Sequence, residues 1–308
     1  MLGRVPLKRL ACVSGSCSAT HSRHVPYCES FSDKKAKKDF NRENILPAIA
    51  LTSFVFALQM INFSVPTTAS SGHIVGGLLL AALLGPYAGF LAICSILLVQ
   101  AVFFADGGLM ALGCNIFNMG FLACFVAYPL VYKPLAENRR SAFGAILASI
   151  VALQLGSIAV VAESALSGST SANIGLFASL MQSIHLAIGI VEGVFTAAVI
   201  LIAQRTQFSK MFSYSISALA LILAGVISQV ASSKPDGLEW SLINMSDSFV
   251  AQTQGYIYSI SELIQSKAAI LTQIPSVLAN IGGLVLLAVL MFALCKLLTA
   301  KKVPAYEK

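Results

Sequence analysis

Long apolar stretches separated by short polar ones make up most of this chain after residue 44. An α-helix rises 1.5 Å per residue, so about 20 apolar residues cross a bilayer core of about 30 Å. The pattern predicts an all-α fold, a polytopic transmembrane helix bundle with about seven to eight membrane helices. The apolar segments are 45–65, 74–85, 87–104, 110–132, 141–166, 178–203, 214–231 and 272–298.

The segment 74–85 is too short to cross a membrane alone, and it stops at Gly85-Pro86. A short helix of this kind persists at membrane depth where it lines a cavity inside the protein and is kept from lipid. We therefore expect 74–85 to line a cavity and not to face lipid.

Composition excludes a soluble chain. Hydrophobic residues make up 57% and charged residues 11%, and Asp106 is the single charge between Ile45 and Tyr132. The surface of a soluble protein of this length could not be hydrated with so few charges. The same composition excludes a disordered protein and a small disulfide-stapled secreted module.

The basic residues indicate an orientation in the membrane. The net charge is +7, and each basic cluster lies at the end of an apolar segment. Because Lys- and Arg-rich loops stay in the cytoplasm, the chain is expected to contact a lipid bilayer and not nucleic acid. This rule places 69–73, the turn at Asp106, 163–173 and 232–271 outside the cytoplasm. The clusters are 34–38, 133–140, 205–210 and 296–302.

Four regions follow from these patterns. Residues 1–44 form a polar, basic segment that is expected to be disordered, and 45–210 form a compact bundle. Residues 211–300 form a two-helix region with an extracytoplasmic loop at 232–271, and 301–308 form a cytoplasmic tail. The first segment contains few acidic residues, so an organelle transit peptide, and with it an organelle membrane, is an alternative to the plasma (inner) membrane.

Two interpretations are open for the Cys/His cluster of the first segment. Thiols and imidazoles are ligands for zinc or nickel, but the spacing matches no familiar zinc finger, and incidental thiols in a disordered tail explain it as well. The cluster comprises Cys12, Cys17, His21, His24 and Cys28.

Placing an ionisable side chain inside a membrane costs free energy, so each one in an apolar segment is a candidate for a functional or structural role. His73 follows Ser71-Gly72 and is a candidate imidazole ligand or a solvated group at a helix start. His185 and Glu192 are seven residues apart, so they share one helix face. They are candidates for a metal ligand set or for a buried polar network that locks helices together.

A second group of polar residues lies near the ends of the apolar segments. Asp106 precedes Gly107-Gly108 and suits a turn or a helix cap. Asn115 and Asn118 are three residues apart and predict one polar face, which either joins helices or orients a histidine. Glu163 is expected to be solvated. Motifs typical of P-loop ATPases, zinc metalloproteases and serine hydrolases are absent from the sequence, which argues against an enzyme.

Several runs together closely resemble the cobalt/nickel permease family, the substrate-capture component of energy-coupling-factor transporters. The resemblance covers 45–210, and PDGLEW at 235–240 with its flanking apolar segments looks like the small accessory subunit of the same systems. The runs are FALQMINF at 56–63, SGHIVGG at 71–77, LGPY at 84–87, QAVFFADGG at 100–108, ALGCNIFNM at 111–119 and HLAIGIVEG at 185–193.

The resemblance implies uptake of Ni²⁺ or Co²⁺ as a transported substrate, with no other cofactor. The implied partners are a transmembrane coupling subunit and two cytosolic ATPase subunits. In the family the ion is held by nitrogen atoms from the N-terminal amine, from a histidine at position two and from the histidine of the Ser-Gly-His motif, here His73. Asp106, Asn115, Asn118, His185 and Glu192 are candidates for supporting or gating roles.

The chain departs from the family at its start, because it begins Met1-Leu2 and its first apolar segment begins at Ile45. One hypothesis is a truncated or replaced N-terminus, which would leave a non-transporting remnant or scaffold that still binds the transporter partners. Another is that His21, His24 and the nearby cysteines substitute as ligands. The choice between nickel and cobalt stays open, since both ions suit imidazole.

Overall fold

The computed structural model describes residues 45–65, 68–167, 173–206, 209–245 and 256–300. The predictions for the first 44 residues, which include the Cys/His cluster and the hypothesis about the N-terminus, lie outside the described residues. So does the prediction for the tail at 301–308.

The described chain is almost entirely helical. A two-residue antiparallel pair, β1 (Phe63–Ser64) with β2 (Ser71–Gly72), joins the first two helices. The helices, numbered in chain order, are α1 (Ile45–Gln59), α2 (Gly77–Leu84), α3 (Pro86–Phe103), α4 (Leu112–Glu137), α5 (Ser141–Leu166), α6 (Ile174–Thr206), α7 (Lys210–Gly225), α8 (Gly237–Asn244), α9 (Tyr256–Ala268) and α10 (Ser276–Ala300).

Six of the described helices, α3 to α7 and α10, are long and apolar enough to cross a membrane, with α7 extended by a 3₁₀ turn at Ile227–Val230. This confirms the prediction of a polytopic helical bundle. The predicted total of seven to eight is not confirmed, because α1 has 15 residues and α2 has 8. Fifteen residues span only about 22 Å as a helix.

Helix α4 changes its winding along its length. Residues Ile116–Tyr132 form a π-helix between two short α-helical ends. Because a π-helix has more residues per turn than an α-helix, residues three apart do not fall on one face in the usual way. This winding bears on Asn115 and Asn118, which lie at its start.

The short helix α2 lies in the packed core of the bundle. Leu78, Leu79 and Leu80 are at most 1% exposed. It is surrounded by α1, α3, α4, α5 and α6. Its backbone is therefore enclosed by protein, which is the condition for so short a helix at membrane depth.

Helices α5 and α6 make the most extensive helix–helix contact in the described part of the chain. A Cβ on Gly193 would lie 2.7 Å from Ile146 Cα, and one on Gly189 would lie 3.1 Å from Ile150 Cα. Small residues at these positions let two backbones approach closely, as in many membrane helix pairs. The pairing fixes α6, which carries His185 and Glu192.

The connection at 232–271, predicted as a polar loop, contains α8 and α9. The Asp236 side chain caps α8 by accepting a hydrogen bond from the Glu239 amide at 2.8 Å. Trp240 on α8 packs against a small core cluster that includes Ile184 and Ile188 of α6. Helix α8 is thereby attached to the permease bundle.

Candidate metal-binding site

The residues between β2 and α2 form a tightly held segment, here named the His73 loop (residues 71–77). Ser71 and Gly72 are buried, and His73 is half-buried. The imidazole therefore stands at the edge of the packed bundle.

Glycines let the His73 loop approach its neighbours. A Cβ on Gly72 would lie 2.6 Å from Ile188 Cδ1, and one on Gly77 would collide with the Met119 carbonyl. Gly76 has φ +73, a conformation that side chains rarely adopt, and Val55 would crowd a Cβ there. Residues of three helices, α1, α4 and α6, therefore pack directly against the backbone of the His73 loop.

Glu192 of α6 anchors the His73 loop through hydrogen bonds with its backbone amides. Its two carboxylate oxygens accept hydrogen bonds from the amides of Val75 at 2.9 Å and Gly76 at 3.1 Å. The carboxylate is 1% exposed. Gln59 of α1 donates from Nε2 to the Val75 carbonyl at 2.7 Å. Charged acceptors of backbone N–H groups make strong hydrogen bonds, so Glu192 fixes the loop in place.

The segment before α8 also anchors the His73 loop, through hydrogen bonds with Ser71. Ser71 donates from Oγ to the Lys234 carbonyl at 2.7 Å and from its amide to the Pro235 carbonyl at 2.8 Å. The Ser232 amide donates to the Asn62 carbonyl at 2.7 Å. The Pro-Asp-Gly-Leu-Glu segment therefore lies along the β1–β2 pair and next to His73.

Electrostatics favour a neutral imidazole at His73. Burial lowers the pKa of His73, while the nearby carboxylates of Asp106 and Asp236 act in the opposite direction. The net direction is downward from an ordinary value of about 6.5. A neutral imidazole at pH 7 has a free lone pair for a metal ion.

His185 lies under α8 on the same face of α6 as Glu192, as the seven-residue spacing predicted. Its Nδ1 hydrogen-bonds the Met181 carbonyl at 2.7 Å, and its ring is 3.2 Å from the position of a Cβ on Gly237. With Nδ1 as donor, Nε2 keeps a lone pair. No hydrogen bond between His185 and Glu192 occurs, since the two side chains contact different parts of the loop and α8.

Asp106 lies in an exposed turn, and its amide donates to the Gln100 carbonyl at 3.1 Å. Gly107 and Gly108 follow with positive φ. Helix α4 begins later, after Ala111, so Asp106 is a turn residue and not a helix cap. The negative charge of Asp106 acts to raise the pKa of His73, against the effect of burial.

The two asparagines have separate neighbours. The Asn115 amide lies against Gly107, 2.6 Å from the position of a Cβ there. Asn118 is buried and donates from Nδ2 to Glu163 Oε2 at 2.9 Å. The structure thus brings neither asparagine into hydrogen-bonding contact with His73. Glu163, expected to be solvated, is half-buried against Asn118.

Sequence reasoning missed Gln59 and Ser71 as parts of the site. Gln59 is a polar residue at the end of an apolar helix, a signal that could have identified it. Its Oε1 and the Ser70 Oγ are buried without a hydrogen-bond partner. Two unsatisfied oxygen atoms beside the loop are compatible with a polar solute at this position.

Within the described residues, no group of three or more His, Cys, Asp or Glu side chains is arranged to hold a metal ion. The candidate ligand His73 is therefore not part of such a group in the described part of the chain. Any further ligands would have to be backbone or amide groups, or to come from the residues outside it.

Comparison with known proteins identifies both parts of the chain. Residues 25–210 match the family model described as cobalt uptake substrate-specific transmembrane region, and residues 210–300 match the PDGLE domain. The first match covers more than half of the chain, and the second contains the segment that binds Ser71.

Relatives that are named as metal transport proteins agree with the family match. The putative fused nickel transport protein NikMN of Archaeoglobus fulgidus is 40% identical over 146 residues, 47% of this chain and 48% of that protein. The probable fused nickel transport protein LarMN of Lactiplantibacillus plantarum is 34% identical, over 54% of each chain. The chain thus spans about half the length of these two relatives.

A shorter relative is covered more fully. The putative cobalt transport protein CbiM of Haloquadratum walsbyi is 31% identical over 185 residues, 58% of this chain and 82% of that protein. A solved structure described as a transition metal transporter has 29% identity and a TM-score of 0.49, over 60% of this chain and 87% of that one. The family description and the names of the sequence relatives agree with the prediction of a metal transporter and not an enzyme. The chain belongs to the CbiM family of cobalt uptake substrate-specific transmembrane regions and carries a PDGLE domain after it.

Proposed function

We propose that this chain captures Ni²⁺ or Co²⁺ at His73 as the substrate-binding subunit of an ATP-driven energy-coupling-factor transporter in the plasma (inner) membrane. One observation carries the proposal: the loop that presents His73 donates hydrogen bonds to Glu192 and to the Lys234 carbonyl before α8, and it accepts one from Gln59. A ligand held by a rigid second layer of contacts binds a metal more tightly than a mobile one.

The partners in this proposal are a transmembrane coupling subunit and two cytosolic ATPase subunits. The chain lacks a P-loop motif of its own, so ATP hydrolysis would be supplied by other proteins. The fused relatives are named for nickel, so nickel is the first ion to test and cobalt the second.

The test is calorimetric titration of the purified full chain with NiCl₂ and then CoCl₂. Replacement of His73 by Ala is expected to remove most of the binding. The substitutions His21→Ala and His24→Ala test the alternative ligands of the first segment and are expected to leave the binding unchanged. Equal binding by His73→Ala and the unaltered chain would overturn the role of His73. Binding lost on the substitution of His21 or His24 would support ligands from the first 44 residues.

Coupling to ATP is tested separately. The chain is co-expressed with candidate coupling and ATPase subunits, and uptake of radioactive nickel is measured with and without a catalytically inactive ATPase. ATP-dependent uptake that His73→Ala abolishes is the expected result. Co-purification of the subunits without uptake would instead favour the non-transporting scaffold.

A further inference from the structure

Helix α9 packs against one end of a membrane-spanning helix. Its Ser261 donates from Oγ to Met110 Sδ at 3.1 Å, and its Gln265 donates from Nε2 to the Ala101 carbonyl at 3.4 Å. Ala101 belongs to the last turn of α3, which is long and apolar enough to cross a membrane and ends at Phe103. Helix α9 therefore lies at the level where α3 leaves the bilayer.

Another face of α9 is apolar and exposed in the described part of the chain. Ile260, Leu263 and Ile264 are 38%, 55% and 53% exposed. Residues three and four apart share a helix face, so these three residues and Lys267 form one surface, here named the α9 stripe. At about 100° per residue, Gln265 lies about 140° around the helix from Ile260. The α9 stripe therefore points away from α3.

The chain runs from the α9 stripe directly into a membrane-spanning helix. A 3₁₀ turn at Ile270–Gln273 follows α9, and α10 begins at Ser276. Ile270 and Ile274 in this connection are 54% and 41% exposed, and Leu278 in the first turn of α10 is 58% exposed. Because α10 is long enough to cross the membrane, its exposed apolar side chains face lipid. The α9 stripe thus adjoins a lipid-facing surface at both α3 and α10.

The charged residues of α9 are divided between its faces. Lys267 lies in the α9 stripe, whereas Glu262 is exposed about 200° around the helix from Ile260. A lysine keeps its methylene groups on an apolar surface while its ammonium group reaches lipid phosphates. Helices that lie on a membrane combine an apolar face with basic residues in this way. The charge pattern therefore favours lipid as the occupant of the α9 stripe.

We propose that α9 lies in the bilayer interface, with Ile260, Leu263 and Ile264 at the boundary between headgroups and acyl chains and Lys267 at the lipid phosphates. The helix thereby holds the connection between α8 and α10 on the membrane surface. This assignment does not depend on metal binding at His73, because no residue of the α9 stripe belongs to the His73 loop.

Quenching of tryptophan fluorescence by brominated lipids tests the proposal. The full chain is reconstituted into vesicles of phosphatidylcholine and phosphatidylglycerol whose acyl chains carry bromine near the headgroup, and the signal of Trp240 is subtracted. Leu263→Trp is expected to be quenched about twofold more than the matched control Glu262→Trp, because an interfacial helix buries its apolar face about 5–10 Å below the membrane surface. Equal quenching of the two variants would overturn the proposal.

A second variant and a second condition complete the test. Ile260→Trp places the probe elsewhere on the α9 stripe and is expected to behave like Leu263→Trp, so a folding failure of Leu263→Trp would not leave the question open. The excess quenching should stay constant as the ratio of protein to lipid is raised. Excess quenching that falls at high protein density would mean that a second copy of the chain covers the α9 stripe, and the proposal would be wrong.

Discussion

Glu192 accepts a hydrogen bond from the Gly76 amide at 3.1 Å, although the two residues are 116 positions apart in the chain. Gly76 immediately precedes α2, and its φ of +73 turns the chain from the His73 loop into that helix. The carboxylate therefore stabilises the bend that places His73.

The first prediction concerns the charge of Glu192. In Glu192→Gln one acceptor oxygen becomes an NH₂ donor, so either Val75 or Gly76 is left with an unpaired buried amide. The expected loss is about 1–3 kcal/mol of stability, with weaker binding of Ni²⁺. Thermal unfolding and calorimetric titration measure the two effects.

The same substitution at Glu137 serves as the control. Its side chain is about half exposed, and it lies 4.0 Å from Lys133. A surface ion pair of this kind contributes about 0–1 kcal/mol, so Glu137→Gln should leave both measurements nearly unchanged. Equal behaviour of the two variants would contradict the anchoring role of Glu192.

The second prediction concerns Gly76 itself. In Gly76→Ala the left-handed backbone costs about 1–2 kcal/mol, and contact of the new Cβ with Val55 adds about 1–3 kcal/mol. The melting temperature should fall, and metal affinity should fall with it because the loop is displaced. Gly225→Ala is the matched control, since a Cβ there meets no atom within 4 Å. A Gly76→Ala protein as stable as the Gly225→Ala protein would show that the loop tolerates rearrangement.

The third prediction concerns the link between Ser71 and the PDGLE segment. Ser71→Ala removes the hydrogen bond to Lys234 and should cost about 0.5–1.5 kcal/mol. Because that bond attaches the segment before α8, hydrogen exchange of the amides at 236–244 should become faster. Ser179→Ala is the control, since its hydroxyl bonds only within its own helix in the described structure, to Leu176. Unchanged exchange in α8 would mean that the other contacts hold it alone.

Hydropathy predicted the helices well and their contacts poorly. The segment 141–166 coincides with α5, and 74–85 lies close to α2, because long apolar runs have one stable form in a bilayer. Helix α9 was missed, since its apolar residues are spaced along one face between polar ones and its mean hydropathy is low.

At the candidate site, too, local sequence features could be predicted and contacts between distant residues could not. His73 became a candidate through a local motif, whereas the hydrogen-bond partners of Ser71 and Glu192 lie more than 100 positions away in the chain. Glu163 was expected to be solvated because it is near the end of its helix, but it is half-buried and accepts a hydrogen bond from Asn118 on the facing helix. Such pairings depend on how helices pack, and a single sequence does not contain that information in local form.

The last prediction concerns the helix pair that carries Glu192. A Cβ in Gly193→Ala would lie 2.7 Å from Ile146 Cα, so the backbones of α5 and α6 must separate. Overpacking of this kind costs about 1–3 kcal/mol, and here it also shifts the neighbouring Glu192 away from the His73 loop. Both the melting temperature and the Ni²⁺ affinity should therefore fall. Gly113→Ala, which meets no atom within 4 Å, should not lower the melting temperature. If Gly193→Ala lowered stability but left Ni²⁺ affinity unchanged, the position of α6 would not control the metal site.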